Sequence, residues 1–97
     1  MTELNDDYSD MLQALLEHEV EFMLVGAYAL SFHGFVRATE DIDLWIRPSE
    51  ANARRVVAAL DAFGAPLEAH GIRVEDFTHE GLVYQLGLPP RRIDLLT

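Results

Sequence analysis

"VGAYALSFHGFVRATEDIDLWI", residues 25–46, decides the fold. An apolar run ends at Gly26, and 15 residues later Asp41 and Asp43 flank Ile42 inside a second apolar run. Side chains alternate along a strand. The pattern therefore predicts a strand over 40–46 with Ile42, Leu44 and Ile46 on one face and Asp41, Asp43 and Trp45 on the other. Residues two apart on one face are separated by about 6.6 Å along the chain. A strand with one apolar face thus carries two carboxylates on its opposite face.

Outward from that stretch, the rest of the chain supplies a scaffold. Upstream, Met11, Leu12, Leu15 and Leu16 recur at helical spacing, which predicts an amphipathic helix over 8–18. "EFMLV", 21–25, reads as a short buried strand that Gly26 ends, and "AYALSFH", 27–33, as a short helix that Gly34 closes. Downstream, Pro48 stops the aspartate strand and Ser49 is placed to cap a helix over 50–63. That helix sets Ala53, Val56, Val57, Leu60 and Phe63 on one side and Arg54, Arg55 and Asp61 on the other, and Gly64 and Pro66 terminate it. Residues 65–81 carry little pattern beyond one helical turn at "VEDF". "LVYQLGL", 82–88, and "RRIDLLT", 91–97, read as two strands joined at Pro89-Pro90. This order of helices and strands predicts an α/β (α+β) domain with one mixed sheet flanked by helices.

The 97 residues suit a single domain over 1–97. Because the chain stops within or just after its last strand, the expectation is a minimal or truncated domain lacking C-terminal elements. There is no cysteine, which excludes disulfides and thiolate metal sites. No apolar run approaches the roughly 20 residues that span a membrane. The first residues, "MTELNDDYSD", are acidic and polar rather than signal-like, so a cytoplasmic protein is expected. The formal net charge is −10, and all seven basic side chains are arginine. A broad basic surface for duplex nucleic acid is excluded by that balance. A small phosphate site is not, since the guanidinium fork grips phosphate at two points.

The carboxylates carry the chemistry. If 91–97 pairs beside the aspartate strand, Asp94 joins Asp41 and Asp43, because neighbouring strands lie about 4.8 Å apart. Three carboxylates on one face repel, and a proton, an arginine or a divalent cation relieves them. Carboxylates that share a cation with phosphate oxygens form the usual magnesium arrangement. Gly26, between a strand and a helix, offers a second element, because N–H groups at a helix start favour phosphate and a glycine lets the ligand approach the backbone. Each feature also has a plainer reading. An Asp-x-Asp pair also marks a solvated strand face, Asp94 can pair with Arg92, Arg37 can pair with Asp41, and Gly26 can simply make a tight turn. P-loop and Rossmann fingerprints are absent. His18, His33, His70 and His79 have no zinc-type spacing.

Gly26-Ala27, then Arg37-x-Thr39-x-Asp41-Ile42-Asp43-Leu44, then Arg92-Ile93-Asp94 together resemble the nucleotidyltransferase superfamily with the DNA polymerase β-like fold. The nearest flavour is the small bacterial group related to abortive-infection and toxin–antitoxin nucleotidyltransferases. The resemblance is specific over 22–46 and looser over 82–96. It implies that Asp41 and Asp43 hold Mg²⁺ (or Mn²⁺) and that Asp94 sits beside the metal as ligand or base. It implies that Gly26 and Ala27 meet the phosphates of an NTP through backbone N–H groups, with Arg37 and Thr39 nearby as nucleotide-binding residues. The implied reaction moves NMP from an NTP to a hydroxyl on RNA or protein, in a toxin–antitoxin or phage-defence setting with an antitoxin or other protein as partner. Three departures keep a second reading open, a catalytically inactive module for nucleotide sensing or partner binding. Ala27 stands where a second glycine or a serine is usual, there is no lysine, and the elements that often shape the acceptor site are not in the chain. A third reading is an unrelated acidic protein with solvated carboxylates.

Overall fold

The computed structural model describes residues 6–25, 41–87 and 92–97. The expected helix over 27–33 lies outside the described residues. Helix α1 spans Asp6–Glu17, strand β1 Phe22–Val25 and strand β2 Asp41–Ile46. Helix α2 spans Glu50–Phe63, a 3-10 turn Val74–Thr78, strand β3 Val83–Leu86 and strand β4 Arg92–Leu96. The strands form one sheet in the order β1-β2-β4-β3. β1 runs antiparallel to β2, β2 parallel to β4, and β3 antiparallel to β4, so the sheet is mixed and the fold α+β.

One face of the sheet and two helices make the core. Ile42, Leu44 and Ile46 of β2, Ile93 and Leu95 of β4, and Tyr84 and Leu86 of β3 are buried in one cluster with Tyr8, Met11 and Leu15 of α1 and Ala53, Val56 and Leu60 of α2. Each fully buried aliphatic side chain contributes roughly 1.5–3 kcal/mol over an exposed one, and that term fixes which face of β2 turns inward. A slip of one residue in the register would send Asp43 into this core.

Helix α2 starts and stops where its local chemistry dictates. Ser49 Oγ accepts a hydrogen bond from the Asn52 N–H at 3.2 Å, satisfying a donor the helix cannot use itself. Gly64 ends it with φ of 99°, a left-handed conformation suited to glycine, and its N–H donates to the carbonyls of Leu60 and Asp61.

Asn52 is the buried polar residue that ties helix to sheet. Its Oδ1 accepts from the Glu21 N–H at 2.7 Å, and its Nδ2 donates to the carbonyls of Glu21 at 3.0 Å and Arg47 at 2.9 Å. Glu21 precedes β1 and Arg47 follows β2, so one amide clamps the adjoining ends of the two strands. The stretch 65–81, poorly patterned in sequence, is held by local bonds. The Arg73 N–H donates to Asp76 Oδ2 at 2.8 Å, and Phe77 is fully buried.

Candidate active site

The register of the sheet sorts the side chains on the face opposite the core into rows. One row crosses all four strands as Val25, Asp43, Asp94 and Gln85, each the Cα partner of the next. Asp43 and Asp94 therefore stand side by side on adjacent parallel strands, about 4.8 Å apart by the strand spacing. Asp41 lies two residues before Asp43 on β2, with its backbone paired to Arg92. Its side chain is outside the described part of the structure. So are Gly26, Ala27, Arg37 and Thr39, along with any contact between Arg37 and Asp41.

The two described carboxylates differ in setting. Asp43 is half-buried. Asp94 is 6% exposed even though it sits between the core residues Ile93 and Leu95 on the other side of its strand. A buried carboxylate is costly unless a charge partner or aligned donors compensate it. Arg92, two residues back on the same face, brings its Nε to 3.1 Å from Asp94 Oδ1. The ion pair expected as the plainer reading of Asp94 is thus present. Its alignment misses hydrogen-bond geometry, however, so Asp94 Oδ1 is buried with no hydrogen bond among the described residues.

That oxygen is the test of whether the residues suit a cation. A buried acceptor lacking an aligned donor, with a second carboxylate in register beside it, is a donor set that a hard divalent ion satisfies. Two carboxylates do not complete such a site. Among the described residues there is no group of three metal-ligating side chains, and the side chain of Asp41, the third aspartate of the pattern, lies outside them. Asp43 and Asp94 suit one edge of a magnesium site, and Arg92 supplies positive charge to the same edge.

A family model described as "Nucleotidyl transferase AbiEii toxin, Type IV TA system" matches residues 10–95, nearly the whole chain. The chain belongs to this family. The match runs from α1 through β4 and so takes in both aspartate strands and the 26–40 segment that precedes β2. No curated protein and no solved structure matches the chain. For the AbiEii-type chain, the acidic row joining β2 and β4 is the natural candidate site.

Trp45 shares the face of β2 that carries Asp43, and an aromatic alternating with two aspartates is a signal the sequence itself carries. Asn52 carried no sequence signal, because an asparagine in the first turn of a helix usually serves the cap or faces solvent. Among the described residues, no helix is long and apolar enough to cross a membrane.

Proposed function

We propose that this protein transfers a nucleoside monophosphate from an NTP to a hydroxyl acceptor on RNA or protein, with Mg²⁺ or Mn²⁺ held by Asp43, Asp94 and Asp41. The observation that carries the reading is the placement of Asp43 and Asp94 as Cα partners on adjacent parallel strands. In such a transfer the acceptor oxygen bonds to the α-phosphorus, the bond to the β-phosphate breaks, and pyrophosphate leaves. A bound divalent ion supplies charge neutralisation and activates the attacking hydroxyl. Asp94, buried and beside Asp43, is positioned to receive the hydroxyl proton or to fix the ion that lowers its pKa. Arg92 holds the Asp94 carboxylate in place, and its guanidinium is within reach of a phosphate as well. By the resemblance, Gly26 and Ala27 would meet the phosphates through backbone N–H groups, with Arg37 and Thr39 as further nucleotide-binding residues. Positioning and electrostatics supply most of the rate in this chemistry. The family's toxin–antitoxin setting supports an acceptor whose modification halts growth, with an antitoxin to counter it. The charge of −10 favours a short or locally bound acceptor over a long RNA gripped along its backbone.

The test is transfer of α-labelled NMP from each NTP to cellular RNA and protein fractions. Asp43→Asn is expected to abolish labelling, and labelling that survives Asp43→Asn removes the proposed metal role.

One observation favours a second reading. The Arg92–Asp94 pair neutralises Asp94 without any cation, as a non-catalytic nucleotide sensor or binding module would require. Nucleotide binding without transfer to any acceptor supports that reading.

A further inference from the structure

On the face that carries the carboxylates, the next row across the sheet is apolar. Met23, Trp45, Leu96 and Val83 are successive Cα partners across β1, β2, β4 and β3. Three of them are strongly exposed for apolar residues: Met23 at 58%, Trp45 at 40% and Val83 at 58%. Scattered exposed apolar side chains need no explanation, but a contiguous row beside polar groups marks a binding surface. Trp45 is two residues from Asp43 on β2, and its partner Leu96 is two residues from Asp94 on β4, so the indole stands about 6.6 Å along the strands from the carboxylate pair.

We propose that Trp45 is a stacking platform for a nucleobase whose sugar and phosphate reach the Asp43–Asp94 pair. The inference rests on the nucleotidyl-transfer reading above and names the part of the substrate that the apolar row receives. Position argues for a base, because the row runs directly beside the Asp43–Asp94 pair that the nucleotide's phosphate reaches. Charge argues the same way, since the strip borders two carboxylates on a chain of net charge −10. A neutral flat ring suits that border, and an indole stacks on any base. The base is that of the incoming nucleotide, because its phosphate is the group that reaches the carboxylate pair beside the row.

Trp45 is the only tryptophan in the chain, so its fluorescence reports on this surface alone. The full chain is titrated with each NTP in the presence of Mg²⁺, and separately with short single-stranded RNA. Saturable quenching by an NTP is the expected result, and quenching by RNA alone overturns the assignment to the incoming base. Calorimetry then compares variants. Trp45→Ala is expected to weaken NTP binding roughly 5- to 150-fold, the span of base–aromatic stacking, and Trp45→Phe to keep most of the affinity. Mn²⁺ binding should stay within about twofold in both variants, because neither removes a carboxylate. Absence of quenching by every NTP overturns the proposal, as does full NTP affinity in Trp45→Ala. Failure of the wild type to bind Mn²⁺ while the base still quenches instead overturns the metal-dependent reading and leaves the stacking site standing.

Discussion

Replacing Asn52 by alanine tests what ties the adjoining ends of β1 and β2 to helix α2. The side chain is 1% exposed and makes three hydrogen bonds, to the Glu21 N–H, the Glu21 carbonyl and the Arg47 carbonyl. Each is worth about 1 kcal/mol net. The groups left behind fare differently. The Glu21 carbonyl keeps the Arg47 N–H at 3.2 Å and the Arg47 carbonyl keeps the Ser49 N–H at 3.0 Å. The Glu21 N–H loses the acceptor described for it, which adds roughly 1 kcal/mol at this half-buried position. Alanine's better helix propensity returns about 0.5 kcal/mol. The net expectation is a loss of about 3.5 kcal/mol, against roughly 5–15 kcal/mol for a domain of this size. Urea unfolding followed by circular dichroism should show the midpoint falling by roughly 1–2 M with the slope unchanged. Asn52→Asp sharpens the test. It keeps an acceptor for the Glu21 N–H but turns an ionised oxygen toward two carbonyls, so it should be more harmful at neutral pH than at a pH where the carboxyl is protonated. An Asn52→Ala protein within about 0.5 kcal/mol of wild type, the range of ordinary surface changes, refutes the clamp.

Three further outcomes follow from particular contacts. Arg92→Met strips the charge partner from Asp94, which is nearly buried while Arg92 is about one-third exposed. The loss should fall below the 3–5 kcal/mol of a fully buried pair, at roughly 1–3 kcal/mol in the same urea assay, and Arg92→Met/Asp94→Asn should recover part of it. Gly64→Ala forces a Cβ onto a residue at φ of 99° with open space around it, so only backbone strain acts and the melt should show a loss of about 1–2 kcal/mol. Burial raises the Tyr84 phenol pKa above its ordinary 10.0. The unfolded chain therefore gives up that proton first, and this contribution to stability is intact below pH about 10 and fades as pH rises through the folded value. Tyr84→Phe should flatten the alkaline decline seen in a pH series of urea melts. It should also forfeit the 2.8 Å hydrogen bond between the Tyr84 hydroxyl and His70.

How much of this was legible in sequence depended on whether the signal was local. Helix α2 could be read at both ends because Ser49 and Gly64 act on their immediate neighbours. The faces of β2 could be read because Ile42, Leu44 and Ile46 alternate with Asp43 and Trp45 at the period of the pleat. The neighbour of β2 could not be read from pattern alone. That β4 lies beside it depends on the return of the chain through α2, the 3-10 turn and β3, contacts distant in sequence. The meeting of Asp43 and Asp94 was conditional on that pairing, and the sheet order supplies it. Asn52 was invisible because its partners, Glu21 and Arg47, are brought to it only by the fold. The 65–81 stretch was obscure because it is secured by turns and side-chain bonds rather than by a repeating apolar period. The nucleotide-binding assignment of Gly26, Ala27, Arg37 and Thr39 rests on the resemblance alone, because those positions lie outside the described residues.

The central claim is that carboxylates on β2 and β4 jointly hold a divalent cation. Its most direct measurement is Mn²⁺ binding by electron paramagnetic resonance to the wild type, Asp43→Asn and Asp94→Asn, each with and without ATP. The account predicts saturable binding in the wild type that ATP strengthens, and a loss of at least tenfold in affinity for either variant. Equal Mn²⁺ affinity in all three proteins would contradict it.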